Sequence, residues 1–159
     1  MKITILAVGK VKERFYREAI AEFEKRLGKY VRLTIREVED EKTPEGASEA
    51  EETAIRRKEG ERLLRHIKDN DYVIALAIDG ESLDSPGLAG KVEQLGISGV
   101  SSIVFVIGGS LGLSGEVLGR ADWRLSFSAM TFPHQLMRVI LLEQIYRSFR
   151  IMRGEPYHK

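Results

Sequence analysis

The sequence predicts an α/β fold, a mostly parallel sheet with helices on both faces. Three observations predict it. Short β-rich apolar runs alternate with stretches of helical spacing along the whole chain. Two of those runs, residues 3–8 and 102–107, are almost continuously apolar, as strands buried on both faces are. The 159 residues, 43% hydrophobic and 31% charged, suffice for one soluble domain, residues 1–159, with a sizeable core.

Residues 3–8 read as the first strand. Their apolar stretch is too short for a signal peptide, and Gly9-Lys10-Val11-Lys12 is no cleavage site. Phe15, Ala19, Ile20, Phe23 and Leu27 recur at helical spacing, and Gly28 follows as a stop. Val31, Leu33, Ile35 and Val38 alternate in part and give a second strand. Residues 40–48, with Pro44 and Gly46, form a loop whose acids solvate it. Ser48 caps a long charged helix reaching residue 67, and Glu51 completes a capping box. The thin apolar stripe of that helix places it on the surface. Residues 72–78 are the third strand, and Asp79-Gly80 turns the chain. Ser85-Pro86 opens a helix containing Leu88, Val92 and Leu95. The fourth strand, a short helix over residues 115–119 and a fifth strand over residues 123–126 follow. Phe132-Pro133 opens the last helix, capped by Thr131, which runs to about Met152.

The last helix is apolar nearly all round, through Leu136, Val139, Ile140, Leu142, Ile145 and Phe149 among others. Such a helix must be buried on more than one side. The sheet covers one side. A second copy of the chain covering the other predicts a homodimer, and a helix sandwiched within one monomer is the alternative.

Composition excludes several classes. There is no cysteine, which removes disulfides, zinc–thiolate sites and thiol catalysis. No run approaches the ~18 apolar residues of a membrane span. A cytoplasmic location is the simplest expectation. The net charge of +1 hides an asymmetry. Residues 37–52 are strongly acidic, and residues 120–159 are basic on balance. A basic face there would suit a phosphate backbone, and an ordinary solvated surface is the alternative.

Two loops leave the carboxyl ends of neighbouring strands, where open α/β sheets bind ligands. The first, Gly108-Gly109-Ser110-Leu111-Gly112, lacks both the Gly-x-Gly-x-x-Gly spacing and the Gly-Lys-Ser/Thr ending of phosphate loops. Its glycines allow close approach of backbone to a ligand. The second, Phe127-Ser128-Ala129-Met130-Thr131-Phe132, exposes apolar and hydroxyl groups, and either covers a ligand or lies over the core. His134 stands in the first turn of the last helix, where the dipole disfavours a charged ring. It either bonds a ligand or packs as a neutral residue. The tail, Arg153 to Lys159, carries Tyr157 and His158, types that stack on bases and contact phosphates; a frayed terminus is the alternative. Three histidines without a dense acidic cluster give no metal site, and no Ser-His-Asp arrangement stands out.

The segments FVIGG-S-x-G, LSFS-x-MTFPHQ-x-MR, EQ-x-YR and the terminal RGEPYHK, with the opening MKI-x-x-LAVGK, resemble the RlmH-type methyltransferases of the SPOUT superfamily. The resemblance spans the whole chain. It implies an α/β-knot fold whose carboxyl end is threaded into a trefoil knot, against the strong general prior. It implies S-adenosylmethionine as cofactor, contacted at Leu76, Gly108 and Phe127 through Phe132, and ribosomal RNA as substrate, methylated at N3 of a pseudouridine on the assembled ribosome. Tyr157 and His158 would reach the target base, across the dimer or within one chain. His134 and Arg138 would position the cofactor's carboxylate or an RNA phosphate. Two other readings compete: a flavodoxin-like module holding a flavin or nucleotide, and a non-catalytic dimer that docks on ribosomes.

Overall fold

A computed structural model describes all residues, 1–159. Five strands alternate with five helices: β1 (Lys2–Val8), α1 (Arg14–Leu27), β2 (Arg32–Val38), α2 (Glu49–Leu64), β3 (Tyr72–Ser82), α3 (Ser85–Ile97), β4 (Ser102–Ile107), α4 (Gly115–Arg120), β5 (Trp123–Ser126) and α5 (His134–Met152). The strands form one sheet in the order β2-β1-β4-β3-β5, with every neighbouring pair parallel.

Period-two alternation sorts the central strands into two cores. Ile3, Ile5 and Ala7 of β1 and Ile103, Phe105 and Ile107 of β4 enter one core, shared with α1, α3 and α5. Leu6 and Val8 of β1 and Val104 and Val106 of β4 enter the other, closed by Leu63 of α2 and Val117 of α4. The first core holds 18 buried residues and the second 8, so the second face of the sheet is only partly covered. This is the expected sandwich of helices on both faces, and its continuous apolar strands follow from it.

Helix starts obey local chemistry. Ser48 and Glu51 form the anticipated capping box on α2. Asp84 caps α3 by accepting from the Gly87 N–H, with Pro86 in the first turn. Ser114 caps α4 by accepting from the Val117 N–H. The start of α5 departs from expectation: the helix begins at His134, Pro133 occupies the cap position, and no side chain caps it. Thr131 therefore stands in the loop, free of a capping role. β3 departs too. It does not end before Asp79-Gly80 but continues to Ser82, with its register against β5 broken between Leu76 and Glu81. Gly80 reflects that contact, since a Cβ there would lie 2.7 Å from the Arg124 backbone.

After the edge strand β5, the chain returns over the sheet, and α5 packs against both α1 and α3. Leu141, Leu142 and Ile145 of α5 are fully buried in the larger core. This path is consistent with a threaded carboxyl end. No helix is long and apolar enough to cross a membrane.

Candidate functional site: a charge-free cleft at the strand ends

The carboxyl ends of β3, β4 and β5 meet around a cavity of about 160 Å³. Leu76, Ala77 and Ile78 come from β3, Ile107, Gly108, Gly109 and Gly112 from the end of β4, and Leu125 to Ser128 from β5 and beyond. Met130, Thr131, Phe132, His134 and Met137 complete the wall. The two loops singled out in the sequence thus converge on one cavity. No lining side chain is Lys, Arg, Asp or Glu.

Both loops are held by their own bonds. Gly112 N–H donates to the Gly109 carbonyl. A Cβ on Gly108 would lie 2.8 Å from the Gly112 backbone, so the tight turn itself demands this glycine. In the second loop the Ser126 hydroxyl donates to the Ser128 carbonyl, and Met130 N–H donates to the Ser128 hydroxyl. The N–H groups of Ala129, Thr131 and Phe132 have no acceptor in the chain. Unpaired amides beside an apolar cavity suit a ligand that offers acceptors. Met130, 74% exposed, stands at the mouth.

His134 opens α5 and faces the cleft half-buried. Its Nδ1 is buried without a partner. Burial, then the nearby Arg138 charge, push its pKa below the ordinary imidazole value, against a weaker pull from Asp40. A neutral imidazole is therefore favoured there. Behind the glycine turn lies Glu59 of α2, 4% exposed. Its Oε2 accepts from the Glu41 N–H, and burial raises its pKa. Nothing in the sequence pattern marks this buried acid, which hides within a charged helix.

The remaining expected site residues fall into three groups. Leu76, Gly108, Phe127, Ser128, Met130, Thr131 and Phe132 line the cleft; Ala129 does not and is exposed. Arg138 stands outside the cleft lining. It is 1% exposed, it pairs with Glu37, and it donates to the Val8 and Gly9 carbonyls at 3.0 and 2.6 Å. Its two terminal nitrogens tie the ends of β1 and β2 to α5, and its Nε is buried without a partner. The tail forms the third group. Glu155 is latched by Arg150 and by the Tyr30 hydroxyl, and Arg150 also donates to the Pro156 carbonyl. This fixes Tyr157, whose ring packs edge-on to Tyr146 at 4.9 Å and whose hydroxyl donates to Glu143. Burial, then Glu143, raise the Tyr157 pKa, which keeps the phenol protonated. The His158 Nδ1 lies 3.2 Å from Arg147. His158 borders a second hollow of about 510 Å³, which shares Leu125, Ser126 and Phe127 with the first. The tail is tethered, and one strand end separates it from the cleft.

Fold and cleft together define an α/β protein with a small, largely apolar cleft at the carboxyl edge of a parallel sheet, the place where such sheets bind ligands. Comparison with known proteins makes the class specific. Residues 1–158 match the family described as "Predicted SPOUT methyltransferase", and the chain belongs to that family. It is 62% identical to the "Ribosomal RNA large subunit methyltransferase H" of Bifidobacterium adolescentis over 159 residues, all of both chains. The proteins of the same name from Clostridioides difficile and Clostridium kluyveri are 60% and 58% identical, again over the whole of both chains. The resemblance read from the sequence motifs stands.

Proposed function

We propose that this chain transfers a methyl group from S-adenosylmethionine to N3 of a pseudouridine in large-subunit ribosomal RNA, on the assembled ribosome. The observation that carries the reading is the convergence of three strand ends on a charge-free cleft edged by unpaired amides. A donor with an adenine, a thioether-like centre and no phosphate fits that lining. A flavin phosphate or nucleotide would find no cation there. The names of the 58–62% identical relatives support ribosomal RNA as the substrate.

S-adenosylmethionine, when bound, supplies an activated methyl on a sulfonium. The chain's own residues do the rest. The amides of Thr131 and Phe132 offer donors for adenine edges, and Leu76 and Phe132 offer apolar faces. A sulfonium is a soft cation, so a neutral His134 and aromatic faces suit it better than a charged lysine would. Positioning is the main contribution of such a site to methyl transfer.

The imide nitrogen of the target base must lose its proton, which calls for a general base. Tyr157 is held protonated and bonded to Glu143, so it serves as a positioning residue. His158, exposed beside the second hollow, is the base of choice. A second copy of the chain, packed on the partly exposed side of α5 through Leu136 and Ile140, would bring its own tail toward this cleft. A ribosomal substrate places the work in the cytoplasm.

Ribosomes from cells lacking this gene, incubated with the protein and donor, should gain one methyl on a pseudouridine by mass spectrometry. Free RNA should gain far less. His158→Ala should lower kcat at least tenfold with donor affinity unchanged. No methyl gain, together with no heat of donor binding in calorimetry, would overturn the reading.

A further inference from the structure

The opposite end of the sheet carries a different hollow. There α2 ends and the partly covered face of the sheet opens, leaving a cavity of about 220 Å³. Lys2 of β1, Arg36 of β2, and Arg65 and Lys68 at and beyond the end of α2 line it, with His66 between them. Four cations from three separate stretches of chain therefore surround one depression. Asp71 is the one carboxylate in the lining, and it is already engaged. Its Oδ1 accepts from the Ser102 hydroxyl and its Oδ2 from the Lys68 N–H.

The four cations are unlike most arginines of this chain. Arg62 holds Glu41, Arg120 holds Asp122, Arg124 holds Asp79 and Arg147 holds Glu143. The side chains of Lys2, Arg36, Arg65 and Lys68 have no ion pair and no hydrogen bond within the chain, and all four are exposed. On the floor, Thr4 and Thr34 face each other across β1 and β2 and offer hydroxyl donors. Val104 is the one apolar lining residue.

We propose that this hollow is a phosphodiester-binding site that grips the backbone of the RNA substrate away from the methyl-transfer cleft. The proposal rests on the reading of the chain as an RNA methyltransferase. Uncompensated cations around hydroxyl donors match a tetrahedral anion in charge and in bonding. A lipid surface or a protein interface would call for apolar anchors, and Val104 is the one apolar residue in the lining; the exposed Met1 and Ile97 stand at this end of the sheet, beside α3, but outside the hollow, and Met130, Ile78 and Leu83 lie toward the other end. The hollow runs along β1 and β2 from the level of Lys2 to that of Leu6, which pairs with Arg36, whereas the cleft lies beyond the carboxyl ends of β3, β4 and β5, and the two share no residue. The two sites therefore touch different nucleotides, and the hollow adds hold without reading the base.

His66 reports on occupancy. Burial, then Arg36 and Arg65, depress its pKa. An anion seated among those cations should raise it. Lys2, Lys68, Asp71 and the adjacent Arg120, which donates to the Lys68 and Asp71 carbonyls, are the other charges around it.

The test pairs the Arg36→Gln/Arg65→Gln double variant with an Arg14→Gln/Arg17→Gln control of equal charge change on α1. The first should weaken ribosome binding at least tenfold and flatten its salt dependence by about one to two in log–log slope, with donor affinity unchanged. The control should do neither. In NMR titrations, inorganic phosphate should raise the His66 pKa in the native protein and leave it unmoved in the double variant. Equal losses from both variants, or unchanged ribosome affinity in the first, would overturn the site. Should the native protein neither bind nor methylate ribosomes, the function reading fails by itself. The phosphate titration then decides the hollow alone: a shift of His66 supports an anion site and its absence refutes it.

Discussion

At the carboxyl ends of β3, β4 and β5, no side chain lining the cleft carries a formal charge. Around the amino ends of β1 and β4 and the middle of β2, four cations face one engaged carboxylate. The two ends belong to one sheet and differ in how they were built. The carboxyl end is made of turns: glycines, self-bonded serines and amides left open. The amino end is made of side chains on regular strands and a helix terminus. On the proposed function, recognition at the first end would run through backbone geometry, and at the second through removable charges. Even the cation near the carboxyl end, Arg138, is turned inward to hold the β1 and β2 termini.

The strongest way to break this comparison is to exchange what arginine does at each end. Arg138→Met should cost about 3 kcal/mol, because two buried carbonyls lose their donor while Glu37 keeps some water. Arg65→Met, at an exposed and unpaired position, should stay within about 0.5 kcal/mol. Urea denaturation of the two variants measures both, and similar losses would erase the distinction. A smaller effect should follow from Gly108→Ala. Its Cβ would meet the Gly112 backbone at 2.8 Å, so the turn must shift. Donor affinity by calorimetry should fall about tenfold, a cost near 1.4 kcal/mol, while ribosome affinity of the donor-free protein stays put.

The smallest effect concerns pH. The His134 pKa is depressed by burial and by Arg138, so the folded state resists its protonation. Stability is then complete above the ordinary imidazole value and is lost as pH falls below it toward the depressed folded value. His66 contributes a fall of the same sign. His134→Gln should reduce the slope of melting temperature against pH in that window, and phosphate should act on the His66 part alone. An unchanged slope in His134→Gln would show that the cleft histidine is not strained by its surroundings.

Much of the fold was legible because burial on both faces leaves a mark in composition. Residues 3–8 and 102–107 could hardly be anything but central strands. The loop from Phe127 to Phe132 was legible for the opposite reason, since apolar groups in a segment without helical or strand spacing need something to cover. Arg138 was not legible: its burial is made by the carbonyls of Val8 and Gly9, some 130 residues earlier. The break in β3 was hidden because Asp79-Gly80 carries a turn signature, while its glycine answers to the backbone of Arg124. Charge counting pointed to residues 120–159 as the basic face. There Arg120, Arg124, Arg147 and Arg150 each hold an acid. The unpaired cations that gather in the hollow stand at positions 2, 36, 65 and 68, too scattered for any window along the chain to collect.

The latch at Glu155 works as a ruler. Arg150 and Tyr30 grip that carboxylate, Arg150 grips the Pro156 carbonyl, and the Tyr157 ring meets Tyr146 directly afterwards. One residue inserted between Glu155 and Tyr157 would keep every side chain of the tail and still displace the ring and the imidazole beyond it. The chain end thus encodes a distance as much as a set of residues, and its tolerance to insertion is far narrower than its tolerance to substitution at the surface.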